Sequence, residues 1–287
     1  MHPELAPFLA PPDPATLPLP PAAHPADGVR LLRGVPYAVR DGSRPLELDL
    51  WLPEQSPAAG PPPVVLFVHG GAWRTGLRDD LGPRFRSWRP GPFTRLARAG
   101  FAVACPDYRL SGEAVFPAPL DDLTEALAWL RVRAADLGVD AERAVVWGES
   151  AGGHLAALLA LTTVPAAAPR GCVVWYGATD LTTAPPGTPE AALLGAPAAD
   201  VPDRARAASP VARVAPGAPP FLILHGAEDT VIPAAQGEAL ASALRAAGTE
   251  TGFRTVPDAD HLWIGAAEQD VEDCFTASLD FVRSRTG

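Results

Sequence analysis

The sequence contains no lysine: all 23 of its basic residues are arginine. Against 33 acidic residues they leave a formal net charge of −10. A net acidic chain argues against a nucleic-acid binder, which usually shows a basic patch or stripe. The missing lysine itself reads as genome composition rather than function. Cysteine is scarce as well, with Cys105, Cys172 and Cys274 only. The count is odd and no CxxC pair occurs, which excludes a zinc-ribbon type of site and a disulfide framework and leaves buried, reduced thiols. No apolar run approaches the roughly 20 residues of a membrane span. The opening stretch MHPELAPFLAPPDPATLPLPP has neither a basic n-region nor a continuous apolar h-region, so a cytoplasmic location is expected.

What is present is enough apolar material for a large core, 47% of 287 residues. Residues 1–28 carry nine prolines, which excludes a long helix or a central strand and predicts an extended arm, mobile or laid over the body. Residues 29–287 read as one domain. LELDLWL (46–52) alternates and predicts a half-exposed strand, followed by the proline-rich loop PEQSPAAGPPP. Short apolar runs then predict buried strands at 64–69, 101–105, 144–147, 172–176 and 221–225. Helix-length segments lie at 92–100, 119–138, 234–248 and 271–284, several ending at glycine. Strands alternating with helices imply an α/β fold with a mostly parallel sheet covered on both faces. Residues 181–218 break the rhythm with many prolines and only short helical stretches. An insertion of this kind over the strand ends is a candidate lid.

The chemistry centres on GESAG (148–152). The run RAVVW before it predicts a strand and HLAALLALT after it a helix, the strand–turn–helix setting in which a serine is held out on a sharp turn. Ser150 is therefore a candidate nucleophile. A serine hydroxyl needs a base to take its proton. Of the six histidines, His2 and His24 lie in the arm, His69 and His225 end strands, and His154 falls in the helix after the motif. His261, in VPDADHLW between the last strand and the last helix, is free to reach the serine. The imidazole needs an acid partner, and Glu228 and Asp229 both follow the FLILHG strand. HGGAW (69–73) follows another strand, and its glycines permit close backbone approach. Gly71 and Ala72, with Ala151 just after the serine, are the expected N–H donors to an oxyanion. Trp73 is expected to fill space beside an acyl pocket.

Taken together, HGGAW, PDYRLSGEAVFPAPLDD, VVWGESAGGHLAALL, HGAEDTVIP and DADHLW resemble the α/β-hydrolase superfamily. The likeness is to the bacterial esterase/lipase branch related to hormone-sensitive lipase and to feruloyl and acetyl-xylan esterases, and runs from about Leu46 to the C-terminus. The resemblance implies the order Ser150, Asp229, His261 for the catalytic triad, and it selects Asp229 over Glu228. It further implies serine carboxylic-ester hydrolysis of a small-molecule ester through an acyl-enzyme, without metal or cofactor. HGGAW departs from the lipase-type HGGG and also resembles the kynurenine-formamidase group. Amide or formamide hydrolysis, or acyl transfer or cyclisation by the same triad, are therefore the alternatives; a non-catalytic receptor is disfavoured by the complete triad. Arg74, Arg78, Arg84, Arg86, Arg89 and Arg95 crowd one segment, read either as a solvated loop or as a rim for an anionic substrate.

Overall fold

The computed structural model describes residues 11–40, 43–54, 60–164 and 167–287. Nine strands form one sheet: β1 (Ala23–Ala26), β2 (Val29–Ala38), β3 (Leu46–Pro53), β4 (Pro63–Val68), β5 (Ala102–Pro106), β6 (Asp140–Glu149), β7 (Cys172–Trp175), β8 (Phe221–Gly226) and β9 (Thr251–Val256). Their order is β1-β2-β3-β5-β4-β6-β7-β8-β9. The first four neighbours pair antiparallel; from β5 to β9 every pairing is parallel. The helices are α1 (Pro92–Arg98), α2 (Ala118–Val132), α3 (Ala151–Thr162), α4 (Pro189–Leu194), α5 (Pro202–Ala207), α6 (Ala234–Ala246) and α7 (Glu268–Thr286).

The central runs are apolar at every position because both faces of the sheet are covered. Alternate residues go to different cores. Val64, Leu66 and Val68 of β4 join Leu123, Leu155 and Leu240 on one face. Val65 and Phe67 join Leu96, Trp147, Trp175 and Phe275 on the other. All three cysteines are free and buried in these layers.

Two expectations change. The strand at 46–52 is an interior strand between β2 and β5, and most of it is buried rather than half-exposed. The helix expected over 119–138 ends at Val132, and a single turn, Ala134–Leu137, follows before Gly138 at φ 68°. The side chain of Arg133, at the break, donates to Pro14 O at 3.2 Å and Leu17 O at 3.0 Å, so it is committed to the proline-rich arm. From that arm, β1 adds an edge strand, a place where proline-rich sequence is tolerated. Residues 1–10 of the arm, and 55–59 of the proline-rich loop, lie outside the described residues. Among the described residues no helix is long and apolar enough to cross a membrane.

The sheet order places the site. After β4 the chain steps to β5 on one side, then returns past β4 to β6 on the other. The loops leaving β4 and β6 therefore diverge at their carboxyl ends, and that switch point is where open α/β sheets bind ligands.

Candidate functional site

Ser150 sits on that edge with φ 53° and ψ −122°, a left-handed conformation costly for a residue with a Cβ. The turn is compressed from both sides. A Cβ on Gly152 would stand 2.0 Å from Val68 O, and one on Gly148 2.2 Å from Gly152 O. Only glycine fits at either position, so the glycines serve to hold the serine out. Ser150 N–H donates to Trp175 O of β7 at 2.9 Å, and α3 starts immediately behind it.

The expected partners converge on it. Ser150 Oγ lies 2.9 Å from His261 Nε2, and His261 Nδ1 lies 2.8 Å from Asp229 Oδ2. With the Nδ1 proton donated to Asp229, Nε2 is left as an acceptor for the serine hydroxyl. Asp229 is rigid: its Oδ1 accepts from Val231 N–H at 2.9 Å and Ile232 N–H at 2.8 Å. Burial pushes the Asp229 carboxyl up, but hydrogen bonds from His225, His261 and Ile232 outweigh it and hold the acid well below the usual carboxylate range. Glu228, in contrast, is exposed. Asp260 fixes the loop from outside, accepting from His261 N–H at 2.7 Å and from Thr230 N–H at 2.7 Å, which ties the loop of the base to the loop of the acid.

After β4, Gly71, Ala72 and Trp73 have φ values of 113°, 56° and 55°. Arg74 N–H and Thr75 N–H both donate to Gly71 O at 3.0 Å and close the turn. Among the described residues the N–H groups of Gly71 and Ala72 have no hydrogen-bond partner. Ala151 is the first residue of α3, where a helix supplies no internal acceptor for the N–H. Successive unpaired N–H groups of this kind form an anion-binding concavity. Trp73 differs from expectation. It is 2% exposed, and its Nε1–H donates to His154 Nδ1 at 3.1 Å. It therefore stiffens the turn from within the core rather than presenting a free face to an acyl group. His154 in turn donates from Nε2 to Ala208 O at 2.7 Å, and burial lowers its pKa to about 4, so it stays neutral.

Sequence reading passed over Glu149. Its side chain is buried, and its Oε1 accepts from Gly70 N–H at 2.6 Å, linking the strand that carries Ser150 to the glycine turn. Burial raises its pKa to about 7 against the pull of the Gly70 N–H. Tyr176, at φ 37°, packs edge-on to His261 at 4.9 Å, and its buried hydroxyl lies near Glu149 without a well-formed hydrogen bond. The signal was available: a carboxylate at the end of the apolar run VVWGE is an anomaly for a buried strand. Nothing in the sequence marks Tyr176.

The arginine-rich segment is mostly a tie between distant parts of the chain. Arg78 pairs with Glu47, Asp49 and Asp107. Arg84 donates to Trp263 O, Ala266 O and Glu268, bracing the segment after His261. Arg95 pairs with Glu272 and lies 4.0 Å above the Trp88 ring. The segment 181–218 is anchored too, through Val211 N–H to Thr179 O at 3.0 Å and Leu181 N–H to Ser209 Oγ at 2.8 Å. Its helix α4 and the Arg74 and Ser111 turns wall a cleft of about 640 Å³. Among the described residues no cluster of three or more histidines, cysteines or carboxylates could hold a metal ion.

The chain is similar to two esterases of Mycobacterium tuberculosis, LipQ (34% identical, covering 81% of this chain and 57% of that protein) and LipC (34%, covering 75% and 56%). It thus spans a little over half the length of these curated relatives. Among solved structures, a truncated carbohydrate esterase from gut microbiota superposes with a TM-score of 0.78 at 25% identity, over 91% of this chain and 99% of that one. This likeness agrees with the α/β-hydrolase fold that the sheet order describes. The BD-FAE family matches residues 48–244, which span the glycine turn, the serine elbow and the acid, and the chain belongs to that family.

Proposed function

We propose that the protein is a serine carboxylesterase, hydrolysing short-chain acyl or aryl esters through an acyl-enzyme. The observation that carries this reading is the unbroken chain Ser150 Oγ–His261 Nε2–His261 Nδ1–Asp229 Oδ2, at 2.9 and 2.8 Å. Ser150 Oγ attacks the ester carbonyl carbon as His261 Nε2 takes its proton. The carbonyl oxygen becomes an oxyanion held by the N–H groups of Gly71, Ala72 and Ala151, each donor lowering the barrier by roughly 3–4 kcal/mol. Collapse expels the alcohol, which receives the proton from His261. Water, deprotonated by His261, then attacks the acyl-serine; the acid leaves and Ser150 regains its proton. Asp229 keeps the imidazole in the required tautomer and stabilises its charged form. Trp73 acts at one remove, by fixing the turn that bears the donors. The relatives named esterases point the same way.

The test is a fluorophosphonate probe with mass spectrometry. The wild type should be labelled once, on Ser150. Ser150→Ala should remain folded, escape labelling and lose roughly 10⁴–10⁶-fold in kcat, as expected when the nucleophile of a triad is removed. Label on another serine, or activity surviving the substitution, refutes the assignment.

A further inference from the structure

Of the arginines crowding residues 74–95, five are committed. Arg78, Arg84, Arg86 and Arg95 reach carboxylates, and Arg89 donates to the carbonyls of Arg86 and Trp88. Arg74 is exposed, and among the described residues its side chain has no partner. Other arginines on the surface are also unpaired; the position of this one sets it apart. Its backbone is fixed, because Arg74 N–H donates to Gly71 O at 3.0 Å and Ser111 N–H donates to Trp73 O at 2.7 Å. A four-residue turn of this kind keeps the first and last Cα atoms within about 7 Å. Arg74 is thus anchored beside the proposed oxyanion donors while its guanidinium is free.

Arg74 lines a cleft of about 640 Å³ together with Ser111, Val115, Thr188 and Ala191, and among the described residues no aspartate or glutamate lines it. Glu113, on the same turn as Ser111, is already held by Arg44 and by Leu110 N–H. Among the described residues, a chain with a net charge of −10 has therefore left Arg74 unneutralised in a cleft that no carboxylate lines, on the turn that carries the proposed oxyanion donors. A guanidinium presents a planar fork of donors matched to a carboxylate.

On the esterase reading, we infer that Arg74 is a specificity residue that selects esters bearing a second, free carboxylate, seated in this cleft while the scissile carbonyl lies at the Gly71–Ala72 turn. The carboxylate belongs to either the acyl or the alcohol half of the substrate, and the two halves are separable by experiment.

The experiment measures kcat/KM for two matched pairs. Monoethyl succinate against ethyl succinamate places the carboxylate or its neutral amide on the acyl side. The pair 4-acetoxybenzoate and 4-acetoxybenzamide places it on the alcohol side. In Arg74→Gln the carboxylate-over-amide ratio should fall about tenfold in one pair, chiefly through KM, a size expected of a charge-assisted contact weakened by partial exposure. The wild-type ratio should shrink with added salt. Arg206→Gln removes an exposed arginine outside the cleft and should leave both ratios within about twofold, controlling for net charge. If Arg74→Gln leaves both ratios unchanged while the wild type turns over the amide-bearing esters, Arg74 has no such role and the esterase reading stands. If the wild type hydrolyses none of the four esters, the esterase reading falls, and the inference with it.

Discussion

Replacing Glu149 by glutamine should stabilise the protein, and only on the alkaline side. The carboxyl is buried, and its pKa is raised from an ordinary value of 4.5 to about 7. Between those values the folded state binds more protons than the unfolded one, so stability falls as pH rises. The full penalty, present above the folded pKa, is roughly 3 kcal/mol for a carboxyl raised from 4.5 to about 7. Most of it, roughly 2–3 kcal/mol, develops between pH 5 and pH 8. Glutamine removes the titration but keeps an oxygen for Gly70 N–H, and its amide can donate toward the Tyr176 hydroxyl, which is otherwise without a partner. Titrations common to both proteins cancel in the comparison.

The assay is denaturant or thermal unfolding of wild type and Glu149→Gln at pH 5 and pH 8. At pH 8 the variant should gain roughly 5–10 °C in Tm, taking about 2–4 °C per kcal/mol for a chain of this size, and far less at pH 5. Glu149→Ala separates the two roles of the side chain. It also discards the charge, but it leaves Gly70 N–H buried without an acceptor, at about 1–3 kcal/mol. The glycine turn then loosens and kcat falls. An equal gain for Glu149→Gln at both pH values would refute the reasoning, since only an ionising group makes the difference depend on pH.

Three further substitutions probe the elbow and the acid. Asp229→Asn should lower kcat by roughly 10³–10⁴-fold through the wrong imidazole tautomer, whereas Glu228→Gln, altering an exposed side chain, should stay within about tenfold; steady-state rates of the two under identical conditions decide between them. Gly152→Ala would place a methyl group 2.0 Å from Val68 O, backbone against backbone, so the serine turn must shift; soluble yield, circular dichroism and residual hydrolysis should all decline, and near-wild-type activity would contradict the packing.

The catalytic geometry was legible because its requirements are local. A serine turn needs glycines at fixed offsets, and a base needs only to follow the right strand, so Ser150 and His261 stand out one by one, whereas Asp229 and Glu228 follow the same strand and only the family resemblance separates them. The inner parallel strands β4, β5, β7 and β8 and the second half of β6 were legible as unbroken apolar runs, unlike the edge strand β9. β2 was not: Gly34 and Pro36 interrupt its pattern, and the register shifts between Leu32 and Val35 and between Pro36 and Ala38. The arginine segment was opaque for a different reason. Arg84 meets Glu268 and Arg95 meets Glu272 across nearly 180 residues of chain, so a local charge count could not tell a structural tie from a binding rim. Trp73 shows the limit of reading by neighbourhood, since adjacency to the glycine turn suggested a pocket wall while its indole N–H found His154 in the core.

Backbone strain shows how the site and the body divide their work. Among the described residues, seven non-glycine residues have positive φ: Ala72, Trp73, Ser150, Tyr176, Asp258, Leu262 and Trp263. All lie in loops that leave the carboxyl ends of β4, β6, β7 and β9; none lies in the antiparallel half of the sheet. Left-handed conformations cost of order 1–3 kcal/mol each for such residues and persist only where surrounding structure over-determines them. Here Trp73, Tyr176 and Trp263 are themselves buried, and Tyr176 and Trp263 pack edge to face at 4.7 Å. The aromatic core on the α1 and α7 face therefore extends into the loops through Tyr176 and Trp263, while Trp73 anchors the glycine turn in the core on the other face. Burial of large rings offsets the strain, and in return Ser150, His261 and the N–H groups of the glycine turn are held in fixed positions.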